Sequence, residues 1–291
     1  MKVFVTGASG FIGSAVVREL IGAGHQVIGL ARSEESAKNI NDAGAEALLG
    51  NLEDLEVLKL GTSLADGVIH TAFIHDFTQY LKAGDIDRVA INAIGEELEG
   101  TTKPFIVTSG MLGLPNINGY ITEESSAESA PRTSESSALA LAKKGINVSI
   151  VRLPPSVHDK GDKGFIPFII GQALKNGISA YPEQGKNCWS SVHRLDAAKA
   201  FRLALERAAN GAVYNVVADN AIETKKIAEL IGEKLNLPIQ SVSGEEIITH
   251  FDWMSRFITF EGAAVATKTQ ELLGWKPTNV GLLDDMHKNY F

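Results

Sequence analysis

Six short apolar runs punctuate the first half of the chain, and amphipathic stretches fill the gaps between them. Residues 2–6, 26–31, 45–49, 67–70, 104–108 and 147–151 are rich in Val, Ile, Leu, Ala or Phe. Runs of that length and kind predict buried strands. Between them, residues 11–23 place Phe11, Ile12, Ala15, Val16 and Leu20 at helical spacing. Residues 34–42 predict a short polar helix, and residues 77–100 a long one with apolar Tyr80, Leu81, Ile91, Ile94 and Leu98. Residues 133–144 predict a further helix with Ala and Leu on one face. Strands alternating regularly with helices predict an α/β fold with a doubly wound parallel sheet.

Beyond residue 158 the rhythm changes. A charged loop (159–164) leads to an apolar helix (165–175), and residues 189–193 lead into a helix at 196–208. A strand at 212–217 and an amphipathic helix at 222–235 follow. Residues 245–260 carry Phe251, Trp253, Phe257 and Phe260, and a helix at 267–275 with Pro277 closes the pattern. Most of those aromatics are expected to pack the interior, with one or two left to line a substrate pocket. The organisation expected is a nucleotide-binding domain over 1–155 and a smaller substrate lobe over most of 156–291, with 189–217 returning to the first domain.

The candidate chemistry begins at the first predicted turn. Gly7, Gly10 and Gly13 stand between strand and helix, in the order Gly7-Ala8-Ser9-Gly10-Phe11-Ile12-Gly13. A tight turn, a bare backbone and a close helix–strand contact are what a dinucleotide pyrophosphate needs, and the helix N-terminus adds N–H donors. The spacing is GxxGxxG rather than the common GxGxxG, but the flanking strand and helix that support the motif are both predicted. This is a Rossmann-type arrangement. The second strand ends at Arg32-Ser33, where an acid would bind a free ribose 2′-hydroxyl and an arginine accommodates a 2′-phosphate. NADP(H) is therefore expected over NAD(H). Asn51, after the third strand, keeps an amide able to hydrogen-bond an amino group.

Composition narrows the picture. The 291 residues are 44% hydrophobic and 21% charged, which is ordinary globular usage. A net charge of −8 without a basic cluster weighs against nucleic acid or an anionic membrane as partner. Cys188 is the single cysteine, so no internal disulfide forms and it is expected to be a buried bystander in a reducing compartment. No apolar run reaches the roughly 18 residues of a membrane helix, and the N-terminus already reads as a strand rather than a cleavable signal. A cytoplasmic protein, monomer or homodimer, is expected. His70 has no partner at metal-ligand spacing and reads as a structural histidine.

The segments TGASGFIG, VIHTAF, FIVTSG, VRLPPSVH, WSSVHRLDAA and ELLGWKP, with Arg32-Ser33, resemble the extended and atypical short-chain dehydrogenase/reductases over nearly the whole length. The resemblance implies that Thr71, Ala72 and Phe73 pass under the cofactor. It also implies that Asn51 and Leu52 lie near the adenine, and that Thr108, Pro154, Ser156 and Val157 complete the binding surface. It makes His193 and Asp196 structural. Relatives reduce a carbonyl with a serine, a tyrosine and a lysine four residues further on. Alignment places Gly110 at the serine, with Ser109 one residue earlier, Ala127 at the tyrosine and Pro131 at the lysine, and no YxxxK occurs in the chain. Displaced candidates for the proton donor are Tyr120, His158 and Ser109. The function expected is an NADP(H)-dependent reductase of a small to medium apolar ketone or aldehyde. The alternative is a non-catalytic NADP-binding sensor like the NmrA-type regulators. An epimerase is the weaker third, since it leans on the same missing tyrosine.

Overall fold

The computed structural model describes residues 1–75, 79–127 and 132–291. β1 (Lys2–Thr6), α1 (Phe11–Gly22), β2 (Gln26–Ala31), α2 (Glu34–Asp42) and β3 (Glu46–Leu49) open the chain. Next come α3 (Leu55–Ser63), β4 (Gly67–His70), α4 (Tyr80–Glu97), β5 (Phe105–Gly110), α5 (Ser134–Lys143) and β6 (Val148–Leu153). The second part holds β7 (Ser156–His158), α6 (Phe165–Asn176), β8 (Ser179–Pro182), β9 (Cys188–His193), α7 (Arg194–Arg207) and β10 (Val213–Asn215). β11 (Asp219–Glu223), α8 (Thr224–Leu235), β12 (Ile239–Val242), α9 (Glu245–Phe251), α10 (Ser255–Ile258), α11 (Thr267–Leu273) and α12 (Leu282–Asn289) complete it.

The central sheet has seven parallel strands in the order β10-β6-β5-β4-β1-β2-β3. This is the Rossmann-type doubly wound α/β fold. Its core strands are buried on both sides, which is why they read as unbroken apolar runs. One face is covered by α1 and α7, with Val16, Leu20, Phe201 and Leu205 in a shared core. The other is covered by α3, α4 and α5 around Leu58, Ile91, Ile94 and Leu141. A third core around Trp189 joins α6, α8, α9 and α12 into the lobe. The chain turns from one half of the sheet to the other between β1 and β4, and ligands of such sheets bind beyond the carboxyl ends of the strands there.

Several elements differ from the sequence reading. The predicted start of the long helix at Phe77 lies outside the described residues, as does Pro131, and α4 is described from Tyr80. α3 was not predicted; Asp54 caps it by accepting from the Val57 N–H at 3.4 Å. β5 runs further than expected, so Ser109 and Gly110 are strand residues paired with Arg152 and Leu153 rather than a loop. Residues 222 and 223 belong to β11, and the helix begins at Thr224. β8 and β12 pair with each other, as β7 and β11 do with β9. The chain also continues past Pro277 into α12. Among the described residues no helix is long and apolar enough to cross a membrane.

Candidate functional site

At Gly7 and Gly13 the turn after β1 is built by close approaches that leave no room for side chains. Gly7 has φ +70°, and a Cβ on it would lie 2.8 Å from the Ala72 nitrogen and 2.9 Å from Thr71 Oγ1. A Cβ on Gly13 would stand 2.0 Å from the Gly7 carbonyl oxygen, so α1 meets the turn backbone to backbone. Gly10 is the N-cap residue of α1 and caps it with no side chain, so the first-turn N–H groups are left for a ligand. A Cβ on Gly10 would meet only the Gly7 oxygen, at 3.1 Å, and otherwise open space. Ser9 and Gly10 are exposed, while Ala8 is buried against Gly29. These residues fit the pyrophosphate of a dinucleotide.

One cation here is given no role by the sequence motifs. Arg194, the first residue of α7, places its guanidinium 4.5 Å from the Phe11 ring centroid and donates to the Phe11 carbonyl at 3.5 Å. Asp159 holds it with contacts of 3.1 and 2.8 Å. A cation in the first turn of its own helix opposes the helix dipole. That was the available signal that its position serves something outside α7.

At the tip of β2, Arg32 is exposed and ion-pairs with no described residue. Ser33 is tied to the helix that follows it. Its hydroxyl accepts from the Ser36 N–H at 3.2 Å and donates to Ser36 Oγ at 3.1 Å, so it caps α2. Asn51 is exposed and its side-chain oxygen accepts from the Glu53 N–H at 2.8 Å, and Leu52 beside it is half-buried.

The segment after β4 lies against the glycine turn. Thr71 Oγ1 donates to the Thr6 carbonyl at 2.8 Å, and Thr108 Oγ1 donates to the His70 carbonyl at 2.7 Å. A buried polar chain runs behind them. Thr6 Oγ1 meets His70 Nδ1 at 2.9 Å, and His70 Nε2 meets Asp87 at 3.0 Å. Ser134 donates to the other oxygen of Asp87 and accepts from Arg132 Nε at 2.7 Å. Burial pushes the Asp87 carboxyl up, but His70, Arg132 and Ser134 outweigh it and hold it below its ordinary value. His70 is thus the structural histidine expected. Arg132 then reaches the Thr108 carbonyl at 3.2 Å and covers the Phe73 ring at 4.1 Å.

Thr71 and Ala72 therefore lie against Gly7, with Phe73 and Thr108 joined to each other through Arg132, while the three donor candidates do not meet. Ser109 is buried within β5. Tyr120 is exposed on a tight turn closed by the Ile117 N–H to Tyr120 carbonyl bond of 2.7 Å. His158 is wholly buried, with Nδ1 2.8 Å from Asp285 and its ring edge-on to His193 at 5.4 Å. Burial lowers its pKa despite the Asp285 hydrogen bond. That enclosed ring packs β7 against α12, and its buried Nε2 has no hydrogen-bond partner. Pro154 is buried, Val157 half-buried, and the buried Ser156 hydroxyl has no hydrogen-bond partner. An orphaned hydroxyl at an expected cofactor residue is consistent with a ligand partner.

Cys188 is half-buried, and burial together with Glu261 and Glu223 pushes its thiol up, the opposite of activation. The lobe supplies a band of aromatic rings instead. Phe73 meets Tyr80 at 6.0 Å, Tyr80 meets Phe257 at 6.3 Å, and Phe257 meets Phe165 at 5.5 Å. Trp253 lies 6.1 Å from Phe165 and 4.6 Å from Phe168. Trp189, 5.6 Å from Phe165, has a buried indole N–H with no acceptor.

Comparison with known proteins agrees with this architecture. Residues 3–95 match the model of the NAD-dependent epimerase/dehydratase family. An uncharacterized protein of Schizosaccharomyces pombe is 46% identical, with 98% of each chain covered. The 4-hydroxy-2-methyl-3-oxo-4-farnesyl-3,4-dihydroquinoline-1-oxide ketoreductase of Stigmatella aurantiaca is 25% identical, covering 83% of this chain and 77% of its own. The dTDP-glucose 4,6-dehydratase of Streptomyces venezuelae, solved with NAD bound, superposes with a TM-score of 0.79 at 19% identity, over 99% of this chain and 95% of that one. With the glycine turn, the seven-stranded sheet and these relatives in view, the chain belongs to the NAD-dependent epimerase/dehydratase family, within the extended short-chain dehydrogenase/reductase superfamily.

Proposed function

We propose that the protein is an NADP(H)-dependent carbonyl reductase acting on small to medium apolar ketones or aldehydes. The observation that carries this reading is the aromatic band from Phe73 to Trp253, which joins the segment beside the glycine turn to the lobe. Half-buried rings give an apolar substrate a wall. The ketoreductase named among its relatives supports the same reaction class. Gly7 through Gly13 would hold the pyrophosphate, Arg32 the 2′-phosphate, Asn51 and Leu52 the adenine side, and Thr71, Ala72, Phe73, Thr108 and Ser156 the nicotinamide side. When bound, the reduced nicotinamide supplies the hydride. The chain's own work is to orient the carbonyl, exclude water and deliver a proton.

The test is NADPH oxidation against a broad panel of ketones and aldehydes. Turnover that favours apolar members is expected. The second reading, an NADP-binding sensor, draws on the vacated serine, tyrosine and lysine positions. Tight NADPH binding with no turnover across the panel would establish it instead.

A further inference from the structure

Carbonyl reduction needs a proton donor at the substrate oxygen and a positive group to steady the charge that passes through the donor. The described residues bring such a pair together in a place the sequence motifs did not mark. Tyr80 opens α4 shortly after β4. Its ring lies between Phe73 and Phe257, 6.0 and 6.3 Å away, so it stands where the sheet edge meets the lobe. Arg132 comes from the other side, just ahead of α5, and lies over the same Phe73 ring at 4.1 Å.

The guanidinium is held from three directions: Ser134 on Nε, the Thr108 carbonyl on a terminal nitrogen, and the face of Phe73. It is half-buried, yet no carboxylate among the described residues forms an ion pair with it, since Asp87 is engaged by His70 and Ser134. A cation kept partly out of water, whose nearest carboxylate among the described residues is reached only through Ser134, is costly to hold and suited to an anion formed beside it. Burial raises the Tyr80 phenol above its ordinary 10, Asp87 adds to that, and Arg132 pulls it back. Both the guanidinium and the phenol ring thus border Phe73, one over its face at 4.1 Å and the other 6.0 Å away.

We propose that Tyr80 is the general acid of the reaction, and that Arg132 is its positioning residue, a tyrosine–cation pair assembled from α4 and the segment before α5. This rests on the carbonyl-reductase reading. The carbonyl carbon gains the hydride supplied by the nicotinamide, which is oxidised. The π electron pair moves to oxygen, the Tyr80 O–H bond breaks and the alcohol O–H bond forms. The phenolate left beside Arg132 then regains a proton from water. Reduction is fastest while the phenol is protonated and declines as pH rises through its pKa. Arg132 and Asp87 are the charged groups that set that value.

Two measurements test the pair. In single-turnover hydride transfer from NADPH, Tyr80→Phe should slow the step by about 10²–10⁴-fold with NADPH affinity unchanged. In the cofactor-free protein labelled with 3-fluorotyrosine, the ¹⁹F signal lost in Tyr80→Phe identifies this residue among the five tyrosines. Its titration should move upward in Arg132→Met and return in Arg132→Lys. Near-parent rates in Tyr80→Phe, with the loss falling on Tyr120→Phe or on no tyrosine, overturn the proposal alone. So does a Tyr80 titration indifferent to Arg132→Met. A parent protein that binds NADPH but reduces no carbonyl overturns the reductase reading and this proposal with it.

Discussion

Gly10 and Gly13 lie three residues apart in one motif, yet substitution should affect them differently. A Cβ at Gly13 collides with a backbone oxygen at 2.0 Å, and no rotamer can relieve that. Gly13→Ala should lower the melting temperature and abolish NADPH binding together. A side chain at Gly10 meets mostly open space, so Gly10→Val should fold with a nearly unchanged melting temperature and lose NADPH, because it fills the volume the phosphates need. Normal NADPH binding by folded Gly10→Val, measured by calorimetry, would refute the phosphate cradle. Arg32 has no competing ion pair among the described residues, so Arg32→Ala should narrow the preference for NADPH over NADH by about ten- to a hundred-fold, the worth of a charge-assisted contact of roughly 1.5–3 kcal/mol. Equal affinities in the parent would remove the basis for NADP.

Asp196 shows how elements are tied together. Its carboxylate accepts from the backbone N–H groups of Thr278 and Asn279, both at 3.0 Å, and its carbonyl accepts from the Trp275 indole at 2.9 Å. Asp196→Ala should cost about 1.5–3 kcal/mol in urea unfolding, since it strands two donors at the entry to α12. His158 makes the same region pH-sensitive. Its folded pKa is depressed below the ordinary 6.5, chiefly by burial, while Asp285 and Asp219 pull it up and His193 pushes it down. The unfolded chain takes up that proton first, so the contribution is complete above about pH 6.5 and is lost as pH falls toward the folded value. The urea midpoint should drop between about pH 7 and 5, with a shallower slope in His158→Asn; an equal slope in the variant would point to other groups.

The elements that were legible in the sequence are those whose own residues specify them. The strands from β1 to β6 and helices α1, α2 and α5 carry their burial pattern in their local spacing. β8, β11 and β12 do not, because each is short and exists through pairing with a strand distant in sequence. The glycine turn was legible for the same local reason, whereas the capping of α2 by Ser33 was not read from the sequence. Arg132 and Arg194 were invisible: their roles come from Phe73, Thr108 and Asp159, which reach them from elsewhere in the fold.

Across the whole molecule, the aromatic band is one of the contacts between the central sheet and the lobe. Phe257 sits at its middle, within ring-contact distance of Tyr80, Phe165, Trp253 and Phe260. Phe257→Ala should raise KM for the most apolar substrates by about 5- to 100-fold, in line with roughly 1–3 kcal/mol for an aromatic contact, while leaving NADPH affinity alone. A variant with unchanged KM would place the substrate elsewhere. The central sheet has a further consequence for how this protein is made. Its edge strand β10 and the covering helix α7 are encoded after the first part of the lobe. At ribosomal speeds of roughly 5–20 residues per second, β6 waits about 3–12 s for its neighbour. During that interval a nascent chain holds an unpaired apolar edge and the bare back of α1, a natural station for a chaperone.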